Sequence, residues 1–260
     1  MRLPIYQVDA FADRIFAGNP AAVVPLEEWL PDATLQAIAA ENNLSETAFF
    51  IRQGETYALR WFTPAVEVDL CGHATLASAY VIFRFLEPER RRVAFETREA
   101  GTLTVVRQGD ELAMDFPAWV PKACETPAGL AVALGRNPSE VLASRAYLAV
   151  YEREADIAAI KPDFTALKRL DRAVIVTAPG SDGVDFVSRF FAPGVGIDED
   201  PVTGGAHCQL IPYWAGRLGK TRLAARQISP RGGALSCALA GERVTIAGQA
   251  QLYLEGRITV

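Results

Sequence analysis

The chain has 260 residues, half of them apolar, and a formal net charge of −5. That acidic balance argues against nucleic acid or an anionic membrane as partner, and no apolar run reaches the ~18–20 residues of a membrane-spanning helix. A chain this long buries roughly 70–75% of its extended surface. No disulfide or metal staple is therefore expected, and the four cysteines, Cys71, Cys124, Cys208 and Cys237, form no C-x-x-C pair.

In chain order, residues 1–9 lack the apolar core of a signal peptide, and the alternation over 5–11 predicts a strand. A cytoplasmic protein is expected. Ala17-Gly18-Asn19-Pro20 reads as a turn and 21–24 as a short strand. Asp32 is placed to cap a helix whose apolar stripe includes Leu35, Ile38 and Ala39, and Asn42-Asn43 ends it. Residues 46–51 and 57–62, β-branched and aromatic, predict strands. From His73 to Phe85 the run is apolar almost all round, which predicts a buried helix. Arg90-Arg91-Arg92 reads as a solvated loop. Short strands follow at 93–96, 103–107 and 112–116. A proline-rich connection over 117–127, carrying Trp119, leads to a second helix at 206–218 and strands at 224–228, 235–239, 244–247 and 251–254.

The chain nearly repeats itself. Arg60-Trp61-Phe62-Thr63-Pro64-Ala65-Val66-Glu67-Val68-Asp69 matches Arg189-Phe190-Phe191-Ala192-Pro193-Gly194-Val195-Gly196-Ile197-Asp198 in Arg, Phe, Pro, Val and Asp at an offset of 129 residues. Gly101-Thr102-Leu103 is echoed by Gly233-Ala234-Leu235. A repeat this long predicts two similar domains, not a solenoid. The expected fold class is α+β: two pseudo-symmetric domains, each a curved, mostly antiparallel sheet wrapped around a central helix. The expected domains are 1–118 and 119–250, with the strand 251–260 free to pack on the first. Two related halves facing across a cleft make a favoured ligand site.

Each repeat runs into a glycine turn at a helix start: Asp69-Leu70-Cys71-Gly72-His73-Ala74-Thr75, and Asp198-Glu199-Asp200-Pro201-Val202-Thr203-Gly204-Gly205-Ala206-His207. The only two histidines of the chain, His73 and His207, lie in these turns. The first N–H groups of a helix lack internal partners and carry partial positive charge, and glycine lets a ligand approach the backbone. Two such ends suit a carboxylate. They also serve simply to cap two core helices.

Gly18-Asn19-Pro20, Asn43-Leu44-Ser45-Glu46-Thr47-Ala48-Phe49, Cys71-Gly72-His73-Ala74-Thr75, Glu199-Asp200-Pro201-Val202-Thr203-Gly204 and Arg226-Gln227-Ile228-Ser229-Pro230-Arg231-Gly232-Gly233 occur in this order along nearly the whole chain. Together they resemble the PhzF-like family of phenazine biosynthesis. The resemblance implies a diaminopimelate epimerase-like fold, a cofactor-independent isomerase acting on a small carboxylic acid, no metal, and a homodimer. Matched residue by residue, it implies Glu46 as catalytic acid/base, supported by His73 and Asp200. Gly72, Ala74, Gly204 and Gly205 would hold the substrate carboxylate, and Asn19 and Ser45 would line the pocket. Gly205 stands where many family members have serine, which puts the phenazine precursor in question as substrate.

At the 129-residue offset Glu46 meets Ile175, so the carboxylate occurs in one half only, as a single base serving a shared site would. Burial of Glu46 is expected to raise its pKa towards working pH. Two competing readings remain. One is a two-thiol epimerase or racemase using Cys71, which lacks a matching thiol near Asp200. The other is a protein that binds a small carboxylate without turning it over.

Overall fold

The computed structural model describes residues 1–260. The chain divides into two compact units, one formed by Met1–Asp115 with Ala247–Val260 and the other by Phe116–Ile246. The strand Ala250–Thr259 runs antiparallel to Arg2–Ala10, so the first unit holds both ends of the chain.

In the first unit Arg2–Ala10 pairs antiparallel with Asn19–Leu26, which pairs parallel with Glu46–Gln53. That strand pairs antiparallel with Thr56–Phe62, which pairs parallel with Arg92–Glu96, itself antiparallel to Thr102–Gln108. In the second unit Glu140–Ala143 pairs antiparallel with Tyr147–Val150, which is parallel to Val174–Pro179. Val174–Pro179 is antiparallel to Phe186–Ala192, which is parallel to Arg222–Gln227, itself antiparallel to Gly233–Ala240. The same alternation of pairings occurs twice, so the sequence repeat is a repeat of topology. Parallel neighbours need a crossover. In each unit a central helix, Gly72–Val81 or Gly204–Leu218, is the crossover between the second parallel pair.

The other crossover helix of the first unit, Asp32–Asn42, buries Leu35, Ile38 and Ala39 at i, i+3 and i+4 against a core that includes Val24, Phe49 and Phe62. It ends at Asn43 in the left-handed conformation (φ 48°), whose N–H reaches Ala39 O at 3.1 Å. The expected cap is corrected. Pro31 occupies the N-cap position, and Asp32, the first helical residue, turns its carboxylate to Arg60 at 2.8 Å.

Gly72–Val81 packs against strands 2–10, 19–26 and 46–53 and buries every residue from His73 to Ala79. Its hydroxyls need no polar face, because Thr75 Oγ1 donates to Cys71 O at 2.6 Å and Ser78 Oγ to Ala74 O at 2.7 Å. The helix widens into a π turn over Ile82–Leu86. Gly204–Leu218 contains Pro212, which has no N–H for the carbonyl four residues back. Trp119 N donates to that carbonyl, Cys208 O, at 2.8 Å. The proline thus gives the strand-free segment at Trp119 its anchor on the helix.

Candidate active site

Glu46 opens the strand 46–53, two residues after the helix 32–42 has been released by Asn43 and Leu44. Thr47 Oγ1 accepts from Asn42 Nδ2 at 3.1 Å, and Phe49 lies in the core beneath that helix. Strand alternation therefore sends Glu46 and Ala48 to the opposite face, where Gly72–Val81 packs. Cys71 is the N-cap of that helix in an extended conformation (φ −140°), and His73 is its second residue. Asn19 opens the strand 19–26 directly after Gly18. At Gly18 φ is +64° and a Cβ would fall 2.2 Å from Ala10 O, so only glycine makes this turn.

These elements bring four side chains together. His73 Nε2 stands 3.0 Å from Glu46 Oε2, in ion-pair contact but with the N–H off the line of a hydrogen bond. His73 Nδ1 is 3.5 Å from Cys71 Sγ and 3.2 Å from Asn19 Nδ2. All four residues are buried, Glu46 with 8% of its surface exposed. Ser45, half-buried, immediately precedes the strand, and Gly72 and Ala74 flank His73 in the first turn of the helix.

Burial opposes the charge on Glu46, but the positive charge of His73 and polar contacts from His73 and Cys71 outweigh it and hold the carboxyl below its ordinary 4.5. The expectation that burial would raise this pKa is thereby corrected. Burial also opposes an imidazolium at His73, yet its interactions with Cys71 and Glu46 raise its pKa well above the ordinary 6.5. Burial pushes the Cys71 thiol up to about 11. Since that thiol is protonated at neutral pH, Glu46 is the anion that keeps His73 charged. The resting site is a buried carboxylate–imidazolium pair beside a neutral thiol.

The remaining expected site residues lie in the second unit. Asp200 ends the strand Ile197–Asp200 and is buried. Its carboxylate accepts from the Thr203 hydroxyl, and its backbone oxygen accepts from Gln227 Nε2 at 2.7 Å. Gln227 Oε1 in turn accepts from Thr203 N at 2.9 Å, so this one amide clamps both ends of the turn. Gly204 and Gly205 are the first two residues of the helix that follows, capped by Thr203. A Cβ on Gly205 would meet only the Trp119 ring, at 3.8 Å, so the backbone does not demand glycine there. His207 is fully buried, donates Nδ1–H to Thr203 O at 2.8 Å and tilts against Phe186. Cys208 is buried below it, and burial pushes its thiol up to about 12. Burial thus pushes both thiols away from the thiolate form that a two-thiol mechanism requires.

The repeat motif supplies the supports. Arg60 holds Glu67 bidentately at 2.7 and 2.7 Å, and Arg189 holds Glu199 at 2.7 and 2.9 Å. Each guanidinium lies over the phenylalanine two residues on, Phe62 or Phe191, at 5.0 Å. Each pair ties a long strand to the short strand that delivers the chain to a central helix. The arginines stood out in the sequence as repeated residues. Their role did not, because their acidic partners lie at different spacings, seven and ten residues on.

The model of phenazine biosynthesis-like proteins matches residues 8–256. The chain belongs to the PhzF-like family of phenazine-biosynthesis-like isomerases. It is 58% identical over 259 residues to an uncharacterized isomerase of Pseudomonas aeruginosa, covering 99% of both chains. A crystal structure of a PhzF-family protein from Enterococcus faecalis superposes over 100% of both chains with a TM-score of 0.97 and 49% identity. A hydroxyproline epimerase from Agrobacterium vitis, at 12% identity, matches 99% of this chain and 92% of its own with a TM-score of 0.61, which extends the PhzF-like fold to the epimerases.

Proposed function

We propose that this PhzF-like protein is a cofactor-independent isomerase that moves a proton from one carbon to another on a small carboxylic acid, with Glu46 as the proton carrier. The observation that carries this reading is the buried Glu46 carboxyl held 3.0 Å from His73 at the start of an apolar helix. An isolated carboxylate is costly in such a place.

The substrate carboxylate is taken to bind at the N–H groups of the helix start at Gly72, with Ala74, Asn19 and Ser45 around it; Asp200, Gly204 and Gly205 keep the roles that the resemblance implies. An anion arriving beside Glu46 opposes its ionised form and raises its pKa towards that needed to hold a carbon-bound proton. Glu46 then accepts the proton of one carbon, the electron pair left behind delocalises into the adjoining unsaturated system, and the resulting carboxylic acid returns the proton to a second carbon. His73 stays protonated and stabilises the developing negative charge. The atoms balance without oxidant, reductant or leaving group. Binding fixes the donor and acceptor carbons within reach of one carboxyl group. A homodimer, as the resemblance implies, completes the reading, and light scattering in solution tests it.

The test is exchange of solvent deuterium into a bound small carboxylic acid, wild type against Glu46→Gln. Loss of exchange with binding retained is expected. Equal exchange in the two proteins overturns the assignment.

A further inference from the structure

Glu46, Cys71 and His73 form more than an acid/base pair with a spectator thiol. One oxygen, one sulfur and one nitrogen, all buried, lie within 4.8 Å of one another. His73 Nε2 is 3.0 Å from Glu46 Oε2 and 4.0 Å from Cys71 Sγ. Ligands on a tetrahedral zinc ion, with bonds of about 2.0–2.3 Å, stand roughly 3.3–3.6 Å apart. The nitrogen and oxygen are closer than that range and the sulfur, which is nearer Nδ1 at 3.5 Å, is farther, so a rotation of the Cys71 side chain towards Nε2 would bring all three onto one ion. Glu46 Oε2 is moreover buried and, although in ion-pair contact with His73, accepts no well-aligned hydrogen bond.

We propose that Glu46, Cys71 and His73 are a Zn²⁺ site and that occupancy of it switches the enzyme off. The donor set selects the metal. A thiolate with an imidazole suits zinc and other borderline or soft cations, whereas Mg²⁺ demands six oxygens in an octahedron. Charge also favours it. The carboxylate and the thiolate together cancel the ion's two positive charges, so the occupied site carries no net buried charge. On binding, Cys71 releases its thiol proton and His73 releases the proton on its liganding nitrogen. Nδ1 then keeps its hydrogen, and Asn19, 3.2 Å away, can accept it through its amide oxygen after a half-turn. Such an outer contact fixes the ring for its metal. Three protein ligands leave the fourth position open to water or an anion.

Metal binding stands independently of the isomerase reading. The inhibition rests on it, because a Glu46 oxygen bound to zinc cannot carry a proton. The experiment is titration of the full-length chain in a Cys124→Ser background, which removes the one exposed thiol, first with ZnCl2 by calorimetry and then with CoCl2 by absorption. We expect one Zn²⁺ per chain, a near-ultraviolet thiolate-to-cobalt charge-transfer band, and no displacement by millimolar Mg²⁺. Cys71→Ser and Glu46→Gln should each weaken zinc at least about tenfold, and Cys71→Ser should abolish the band. The cobalt spectrum of the parent needs no active-site variant to fold. Zinc affinity unchanged in either variant, no thiolate band in the parent, or no binding at micromolar zinc would each overturn the site. Binding as expected with exchange activity undiminished would retain the site and overturn the inhibition and, with it, Glu46 as proton carrier.

Discussion

His207 should make the protein acid-sensitive in a window where few other groups titrate. It is fully buried, its Nδ1–H is given to Thr203 O, and Nε2 has no partner, so a second proton would enter an apolar site beside Phe186. Burial accordingly lowers its pKa from 6.5 to about 4. The unfolded chain binds this proton more tightly than the folded one, so stability falls as pH drops through 6.5 and the penalty is complete near pH 4. The full displacement corresponds to about 3 kcal/mol, and between pH 7 and pH 5 to about 2 kcal/mol. His73 moves the other way. Its pKa is raised, so its contribution is complete below 6.5 and is lost as pH rises. Comparison with His207→Phe therefore isolates the effect. Urea unfolding followed by tryptophan fluorescence reports on this region, since buried Trp214 stacks on Phe186 at 5.7 Å. Wild type should lose about 2 kcal/mol more than the variant on going from pH 7 to pH 5. Parallel pH profiles for the two proteins would refute the reasoning.

Other consequences follow from the same physics. With Glu46 held below 4.5 and His73 above 6.5, kcat/KM should stay level from about pH 5 to above pH 7; a fall centred at 6.5 would show that His73 is not protonated in the free enzyme. Arg189→Met strips Glu199 of its partner and removes the hydrogen bonds that the guanidinium gives to the carbonyls of Ile157 and Ile160. It should cost about 3–5 kcal/mol in chemical denaturation, and a loss under 1 kcal/mol would contradict the pair's structural role. Gly18→Ala must force a Cβ against Ala10 O at positive φ, so a stability loss well beyond about 1 kcal/mol is expected in the same assay. Gly205→Ser meets only open space and the Trp119 ring. Its unfolding free energy should stay within about 0.5 kcal/mol of wild type, while substrate KM shifts.

The local chemistry of this protein was legible in its residues. The apolar run after His73 pointed to a buried helix, because its few polar side chains are too sparse to make a polar face. The recurring Arg, Phe, Pro and Asp marked a duplicated strand–turn–helix, because each unit needs the same crossover between parallel strands. The ordered motifs pointed to the family that the comparisons bear out. Tertiary structure decided the electrostatics. Burial alone would raise Glu46, and only the placement of His73 at 3.0 Å, delivered from a different element, reverses the sign. The sequence shows Cys71 only as a candidate nucleophile without a matching thiol, and it is the N-cap geometry that sets its sulfur 3.5 Å from the imidazole. Asp32 was read as a cap from its neighbours, but the buried guanidinium of Arg60, 28 residues on, offered it a stronger partner than a helix end does. Propensity and periodicity act between residues close in sequence, whereas charge pairing acts between residues close in space.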